Sequence, residues 1–235
     1  KNTPLEKLRG EYFSELVEIG RTLGTVELRY AEHPYVRLYV RGVEVDLVPA
    51  YKVNSPAEIK TAVDRTPFHT AYVNSKLTPE LRDHVRLLKQ FMKSIGVYGA
   101  EIKVRGFSGY VAELLVITYG GFREVLSAAS EWKPPVYINS IGVEEAEFKN
   151  IIKKLRRRYP DSLIYLPDPV DWERNTTANV SLESLAKFAI ASTCYLSNSL
   201  PVFFFRENTT VSIEDLLEML RNRCVLVVKL MLPAK

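Results

Sequence analysis

Apolar and polar residues alternate most regularly in "GVEVDLVPAYKV", residues 42–53, where Val43, Val45 and Leu47 take one face and Glu44 and Asp46 the other. A period of two, ended by Pro49, predicts a β-strand with an apolar side towards a core and an acidic side towards water. Lone acids on such a strand are usually solvated. Just upstream, "VELRYAEHPYVRLYVR" holds two more alternating segments, with turn signals at His33-Pro34 and Arg41-Gly42. The three segments predict an antiparallel β-meander. Leu5, Leu8, Phe13, Leu16, Val17 and Ile19 precede it at loosely helical spacing, up to Gly20 or Gly24. "NSPAEIKTAVDRTPFHT" follows it and reads as a polar linker.

The period then changes to that of a helix. Over 79–95, Leu81, Val85, Leu88, Met92 and Ile95 share one face, with Thr78 at the N-cap, Pro79 in the first turn and Gly96 past the end. Arg82, Arg86, Lys89 and Lys93 form a basic stripe beside that face. "RGFSGYVAELLVITYGG" predicts a helix from a Ser108 cap to Gly120, apolar on nearly every side and therefore buried. "FREVLSAAS" predicts a short amphipathic helix, and 143–159 a longer one with Phe148, Ile151, Ile152, Leu155 and Tyr159 inward. Its outer face carries Lys153, Lys154, Arg156, Arg157 and Arg158, a run that is solvated or meets phosphates. "LIYLPDPVDWERNTTANVSLESLAKFAIAS" predicts a strand, a polar loop and a helix from Ser181. "PVFFF", a Ser212-capped helix and "CVLVVKLML" predict a β-α-β unit at the end.

Composition narrows the class. The chain has 235 residues, 46% hydrophobic and 26% charged, with a net charge of +4. That is an ordinary soluble α+β composition with a slight lean towards anionic partners. Cys194 and Cys224 fit neither a disulfide framework nor a zinc spacing, which favours a reducing, cytoplasmic setting. The longest apolar runs are too short to cross a membrane. Sequons at Asn175, Asn179 and Asn208 are then coincidental. The start at Lys1 and the end just after an apolar strand pattern suggest part of a longer protein. Glycine-rich nucleotide loops are absent, and His33, His69 and His84 lack metal-ligand spacing.

Several long stretches carry a resemblance. "VEVDLVPAYKV", "AVDRTPFHT", "VRLLKQFMKSIGVYGAEIKVRGFSGYVAELLVITYGGF" and "DPVDWERNTTANVSLESLAKFA" follow one another. In that order they closely resemble the archaeal (class I) CCA-adding tRNA nucleotidyltransferases. The resemblance implies template-independent addition of C, C and A to the 3′ end of tRNA, from CTP and ATP, with Mg2+. Two metals in such a reaction activate the attacking hydroxyl and stabilise the leaving pyrophosphate. Asp46 matches the third of the family's three metal-binding carboxylates, whereas Glu44 has no implied ligand role. His69, Lys89 and Tyr98 match positions that contact the incoming nucleotide. Arg174 matches the arginine that helps tell cytosine and adenine from other bases. Arg82, Arg86 and Lys93 are weaker candidates for phosphate contacts.

The resemblance has gaps. The family's Gly-Ser phosphate-binding turn, its Asp-x-Asp-type carboxylate pair and its tRNA-gripping tail are not found in these 235 residues. With Asp46 as the one identified metal carboxylate, the chain by itself is expected to be inactive. The 153–158 cluster departs from the family pattern. The expected architecture is a partial polymerase-β-like nucleotidyltransferase catalytic sheet over 1–75, a mostly helical central domain over 76–192, and the start of a ferredoxin-like βαβ domain over 193–235. Two other readings remain: an ATP-only RNA polymerase of the same superfamily, and a catalytically silent RNA-binding relative. Homodimer formation stays open.

Overall fold

The computed structural model describes residues 3–30 and 34–205. A helical turn α1 (Leu5–Lys7), a π-helical segment (Leu8–Tyr12) and helix α2 (Phe13–Leu23) run without a break. Strands β1 (Thr25–Arg29), β2 (Tyr35–Val40) and β3 (Val43–Leu47) form the antiparallel meander expected from their alternation. Arg41 and Gly42, with φ of 49° and 79°, make the tight β2–β3 turn. The turn predicted at His33 lies outside the described residues.

Helix α2 lies on β2, and Phe13, Val17, Val36 and Leu38 form the small core between them. Gly20 permits the close approach. A Cβ there would stand 2.7 Å from Leu38 and 3.3 Å from Val36. Strand β3 departs from expectation because its apolar face is covered only at Leu47, which packs against this core. Val43 and Val45 are exposed, and Leu47 is only half-buried. Helix α2 reaches β1 and β2, which leaves β3 as an edge beyond it.

The predicted linker is folded. Asp64 is fully buried and accepts the backbone N–H groups of Tyr51, Lys60 and Thr61 at 2.8, 3.1 and 2.8 Å. Three such bonds satisfy a carboxylate that would otherwise be costly to bury. The linker's end becomes helix α3 (Thr66–Lys76). Pro67 sits in its first turn, where a proline is tolerated. Sequence periodicity missed α3 because its stability comes from tertiary contact, with Tyr72 and Val73 against the main core.

Four helices build that core: α4 (Pro79–Ser94), α5 (Gly109–Tyr119), α6 (Phe122–Ser130) and α8 (Leu182–Ser197). The predicted caps are present. Thr78, Ser108 and Ser181 hydroxyls each accept an N–H at 3.2 Å, and Gly120 closes α5 at φ 89°. Phe91 is fully buried at the centre, ringed by Phe122, Phe188, Tyr195, Phe203 and Phe204 at 5.7–6.2 Å between ring centroids. "PVFFF" belongs to this cluster. Pro201–Phe203 is a 3₁₀ turn, not the strand expected, and it sets Phe203 and Phe204, both half-buried, against Phe91. The Ser212 helix and "CVLVVKLML" lie outside the described residues. Helix α8, which contains residue 192, continues to Ser197.

Two small sheets complete the fold. Strand β4 (Val136–Tyr137) pairs in parallel with β5 (Ile164–Tyr165), while β6 (Pro167–Asp168) and β7 (Asp171–Asn175) form an antiparallel hairpin. The segment read as a polar loop is thus the β6–β7 hairpin. Helix α7 (Glu145–Arg158) packs through Phe148, Ile151, Ile152 and Leu155 on Tyr165, as its periodicity predicts.

Phe91→Ala should cost about 3–5 kcal/mol, the usual range for a large aromatic removed from a close-packed core. Urea unfolding measures the loss. A change within error of wild type would show that the surrounding rings collapse into the space.

Candidate functional site

The start of α5 brings most of the predicted residues together. Gly109 is its first residue, and a Cβ there would lie 2.9 Å from the Tyr98 hydroxyl and 3.6 Å from Lys89 Nζ. Both polar ends therefore converge on a helix N-terminus, whose unpaired N–H groups and dipole favour an anion. Lys89 also reaches Glu113 at 2.6 Å, and Lys93 sits 5.2 Å above the Tyr98 ring. One residue further along α5, the Tyr110 ring stacks on His69 with centroids 3.9 Å apart.

Asp168 joins this group and was not singled out from the sequence. It is fully buried in the β6–β7 hairpin. Its Oδ2 receives His69 Nε2 and Arg174 NH1, both at 2.8 Å. Its Oδ1 accepts the Tyr110 hydroxyl and the Val170 N–H, both at 3.0 Å. Burial would push the carboxyl up. The bond and charge of His69, the Val170 amide and Arg174 outweigh this and hold it below the usual carboxylate range. Burial and the Asp168 charge in turn push the Tyr110 hydroxyl well above the ordinary range and raise that of Tyr72. The sequence signal was an acid in "DPVDWERN", but periodicity does not distinguish a buried turn acid from a solvated one.

Asp46 stands elsewhere, on the exposed side of β3, directly opposite Arg37 in register. Arg37 grips both of its oxygens at 2.8 and 3.0 Å and reaches Glu44 at 2.9 Å. The Arg37 hydrogen bonds lower the Asp46 carboxyl from its ordinary value, against a smaller effect of burial. Among the described residues no three His, Cys, Asp or Glu side chains gather where they could hold a metal ion. One carboxylate already paired with arginine does not make a two-metal centre, so the residues present do not fit the implied Mg2+ site on their own.

The remaining candidates are dispersed. Arg86 pairs with Asp83 on the surface of α4, and Arg82 is exposed beside it. His84 has a structural role, its Nδ1 accepting the Phe122 N–H at 3.1 Å at the start of α6. Lys153, Arg156 and Arg157 line a separate groove of about 660 Å³ on α7, with Tyr137 and Phe148. A cavity of about 1130 Å³ lies between α2 and the linker. Its charged lining is balanced, Glu15 and Glu58 against Lys52 and Lys60, so charge gives it no preference for a triphosphate. The convergent donors at α5 are the better site.

Residues 83–205 match the model of the tRNA nucleotidyltransferase second-domain family. The chain is 51% identical over 205 residues to a CCA-adding enzyme of Sulfurisphaera tokodaii, covering 87% of this chain and 46% of that protein. It is 47% identical to a CCA-adding enzyme of Sulfolobus acidocaldarius over the same shares of both, and 54% identical to one of Saccharolobus shibatae over 76% of this chain and 40% of that one. The chain thus spans less than half the length of these relatives. A solved structure titled "Structure of E. coli MS115-1 CdnC:HORMA-deltaN complex" overlaps 81% of this chain and 63% of its own. At 13% identity and a TM-score of 0.49, that likeness is too faint to bear on fold or function.

The low carboxyl of Asp168 has a measurable consequence. A group depressed on folding stabilises the folded state above its unfolded value, 3.8, and loses that contribution as pH falls through the folded value. The stability difference between wild type and Asp168→Asn should therefore be full above pH 3.8 and shrink below it. Urea unfolding across pH tests this. A difference that grows on acidification would contradict an ionised, paired Asp168.

Proposed function

This chain belongs to the tRNA nucleotidyltransferase family, and from that premise we propose that it is part of an enzyme that adds CCA to tRNA 3′ ends from CTP and ATP. The supporting observation is the start of α5, where Lys89 and Tyr98 converge at Gly109 and Tyr110 joins His69, Asp168 and Arg174. The helix N-terminus with Lys89, Tyr98 and Lys93 suits a triphosphate. His69, held by Asp168 through Nε2, presents its other ring edge to the nucleotide. Arg174 is left with donors for a base edge, because only NH1 is engaged by the protein among the described residues. Arg82 and Arg86 are proposed as outlying phosphate contacts.

Within this reading the α2–meander unit over 1–75 is part of a nucleotidyltransferase catalytic sheet, and 76–192 is the helical domain that carries the nucleotide pocket. The ferredoxin-like domain expected over 193–235 is proposed to begin only past residue 205, because α8 runs to Ser197 and Phe203 and Phe204 pack on the helical core. Magnesium is proposed as the metal of the whole protein, with Asp46 contributing one carboxylate and Arg37 as its partner when no metal is bound. The proposed macromolecular partner of the whole protein is tRNA. An ATP-only polymerase of the same superfamily is the competing reading, and incorporation from CTP separates the two.

Two substitutions, made in the protein at the length of its relatives, test the assigned roles with radiolabelled nucleotides and a tRNA transcript lacking CCA. Asp46→Asn keeps the shape and removes the charge, so addition should be abolished while nucleotide binding persists. Normal turnover by that variant would remove Asp46 from the reaction.

Arg174→Ala should damage selection more than turnover, since a good base contact carries about 1–3 kcal/mol of discrimination. Incorporation of UTP or GTP should rise relative to CTP. Unaltered base choice would withdraw the role given to Arg174.

A further inference from the structure

In the proposed site Asp168 touches no nucleotide, yet two side chains assigned to nucleotide recognition end on one of its oxygens. His69 Nε2, from α3, and Arg174 NH1, from β7, both lie 2.8 Å from Oδ2. The other oxygen is held in place by the Tyr110 hydroxyl of α5 and the Val170 amide, both at 3.0 Å. The carboxylate therefore has no freedom of its own. It is fully buried, whereas the side chain of Arg174 remains 36% exposed.

Base chemistry shows why such anchoring matters. A guanidinium can only donate hydrogen bonds. Cytosine and adenine each place an accepting ring nitrogen on the Watson–Crick edge, next to an amine. Uracil and guanine place an N–H at that position, next to a carbonyl oxygen. A donor fixed opposite the ring position pairs with the first two bases and meets an unpaired N–H on the others, an element that disfavours the wrong substrate. A guanidinium free to swing would instead reach the uracil or guanine carbonyl. Donors alone do not select; donors held in one place do.

We propose that Asp168 is the positioning residue for base selection, pinning the Arg174 guanidinium by NH1 so that its remaining donors meet only cytosine or adenine. This rests on the nucleotide-addition reading above. The same oxygen couples the fork to His69, so the base-facing and nucleotide-facing groups share one origin. A nearby pair provides the contrast. Arg65 reaches Asp171 at 3.3 Å and ties the start of α3 to the same hairpin without a hydrogen bond to Arg174 or His69 among the described residues.

The test uses the protein at the length of its relatives, with CTP and UTP offered on a tRNA transcript lacking CCA. Wild type is assayed first. Failure to incorporate CTP would overturn the function proposed above, and this inference with it. Given an active wild type, Asp168→Asn should relax the CTP-to-UTP ratio of kcat/KM by about tenfold, within the span of one base contact. Asp168→Asn added to Arg174→Ala should relax it no further than Arg174→Ala alone, because the first acts through the second. Asp171→Asn should lower the melting temperature and leave the ratio at its wild-type value. A wild-type ratio in Asp168→Asn, additive effects in the double variant, or equal relaxation in Asp171→Asn would each overturn the proposal. Should Asp168→Asn fail to fold, the decisive measurement is ¹⁵N NMR of the wild-type guanidinium, assigned with Arg174→Ala. Slow, separately resolved Arg174 side-chain nitrogens are expected, and averaged signals from a freely rotating group would overturn the assignment.

Discussion

A buried carboxylate with four donors organises the centre of this molecule. Ionised Asp168 in the interior would cost several kcal/mol without compensation. Its compensation comes from three separate elements and its own turn: His69 from α3, Tyr110 from α5, Arg174 from β7 and the Val170 amide. Removing any one donor leaves charge unsatisfied, so the carboxylate dictates where all four must stand. The tertiary arrangement of α3, α5 and the hairpin is in this sense the solvation shell of one side chain. Helix α3, weak by its own periodicity, is ordered by the same demand together with its apolar contacts at Tyr72 and Val73.

Asp46 shows the opposite case with the same chemical group. Its partner Arg37 holds both oxygens, but the pair lies on an exposed strand face, where water and salt screen it. Such a carboxylate can exchange an arginine for another cation at little cost, while Asp168 cannot leave its donors without leaving them unpaired. The two acids thus divide the work proposed for the protein. One is accessible and exchangeable, as a ligand must be, and the other is immovable, as a positioning group must be. The cations differ in place. Lys89, paired with Glu113, and Lys93 stand at the start of α5 with Tyr98, whereas Arg86 and its partner Asp83 lie out on the surface of α4.

Elements whose signal is local were legible in the sequence. The meander, the caps at Thr78, Ser108 and Ser181, the largely buried α5 and the inward face of α7 follow from period, cap chemistry and glycine placement. Those properties act within a few residues and need no knowledge of neighbours. Resemblance to a family added His69, Lys89, Tyr98 and Arg174, and the structure brings these four to the start of α5 and the group around it. It leaves Asp46 on a different element, and the resemblance gave no warning that Arg37 would occupy its carboxylate.

Tertiary structure alone decided the rest. Asp64 and Asp168 look like ordinary loop acids in "AVDRTP" and "DPVDW", and only folding shows one gathering three backbone amides and the other gathering His69, Tyr110 and Arg174. "PVFFF" carries the composition of a strand, yet it forms a 3₁₀ turn whose half-buried Phe203 and Phe204 pack against Phe91. Val43 and Val45 alternate as a core face should, yet both stay exposed because α2 packs mainly on β1 and β2. Several of the deciding partners lie far along the chain: His69 is 99 residues from Asp168, Tyr110 is 58, and Gln90 bonds to the Phe204 carbonyl across 114. Sequence pattern reports what a residue prefers over one or two turns. Which distant group satisfies that preference depends on packing, and packing exists only once the chain has closed on itself.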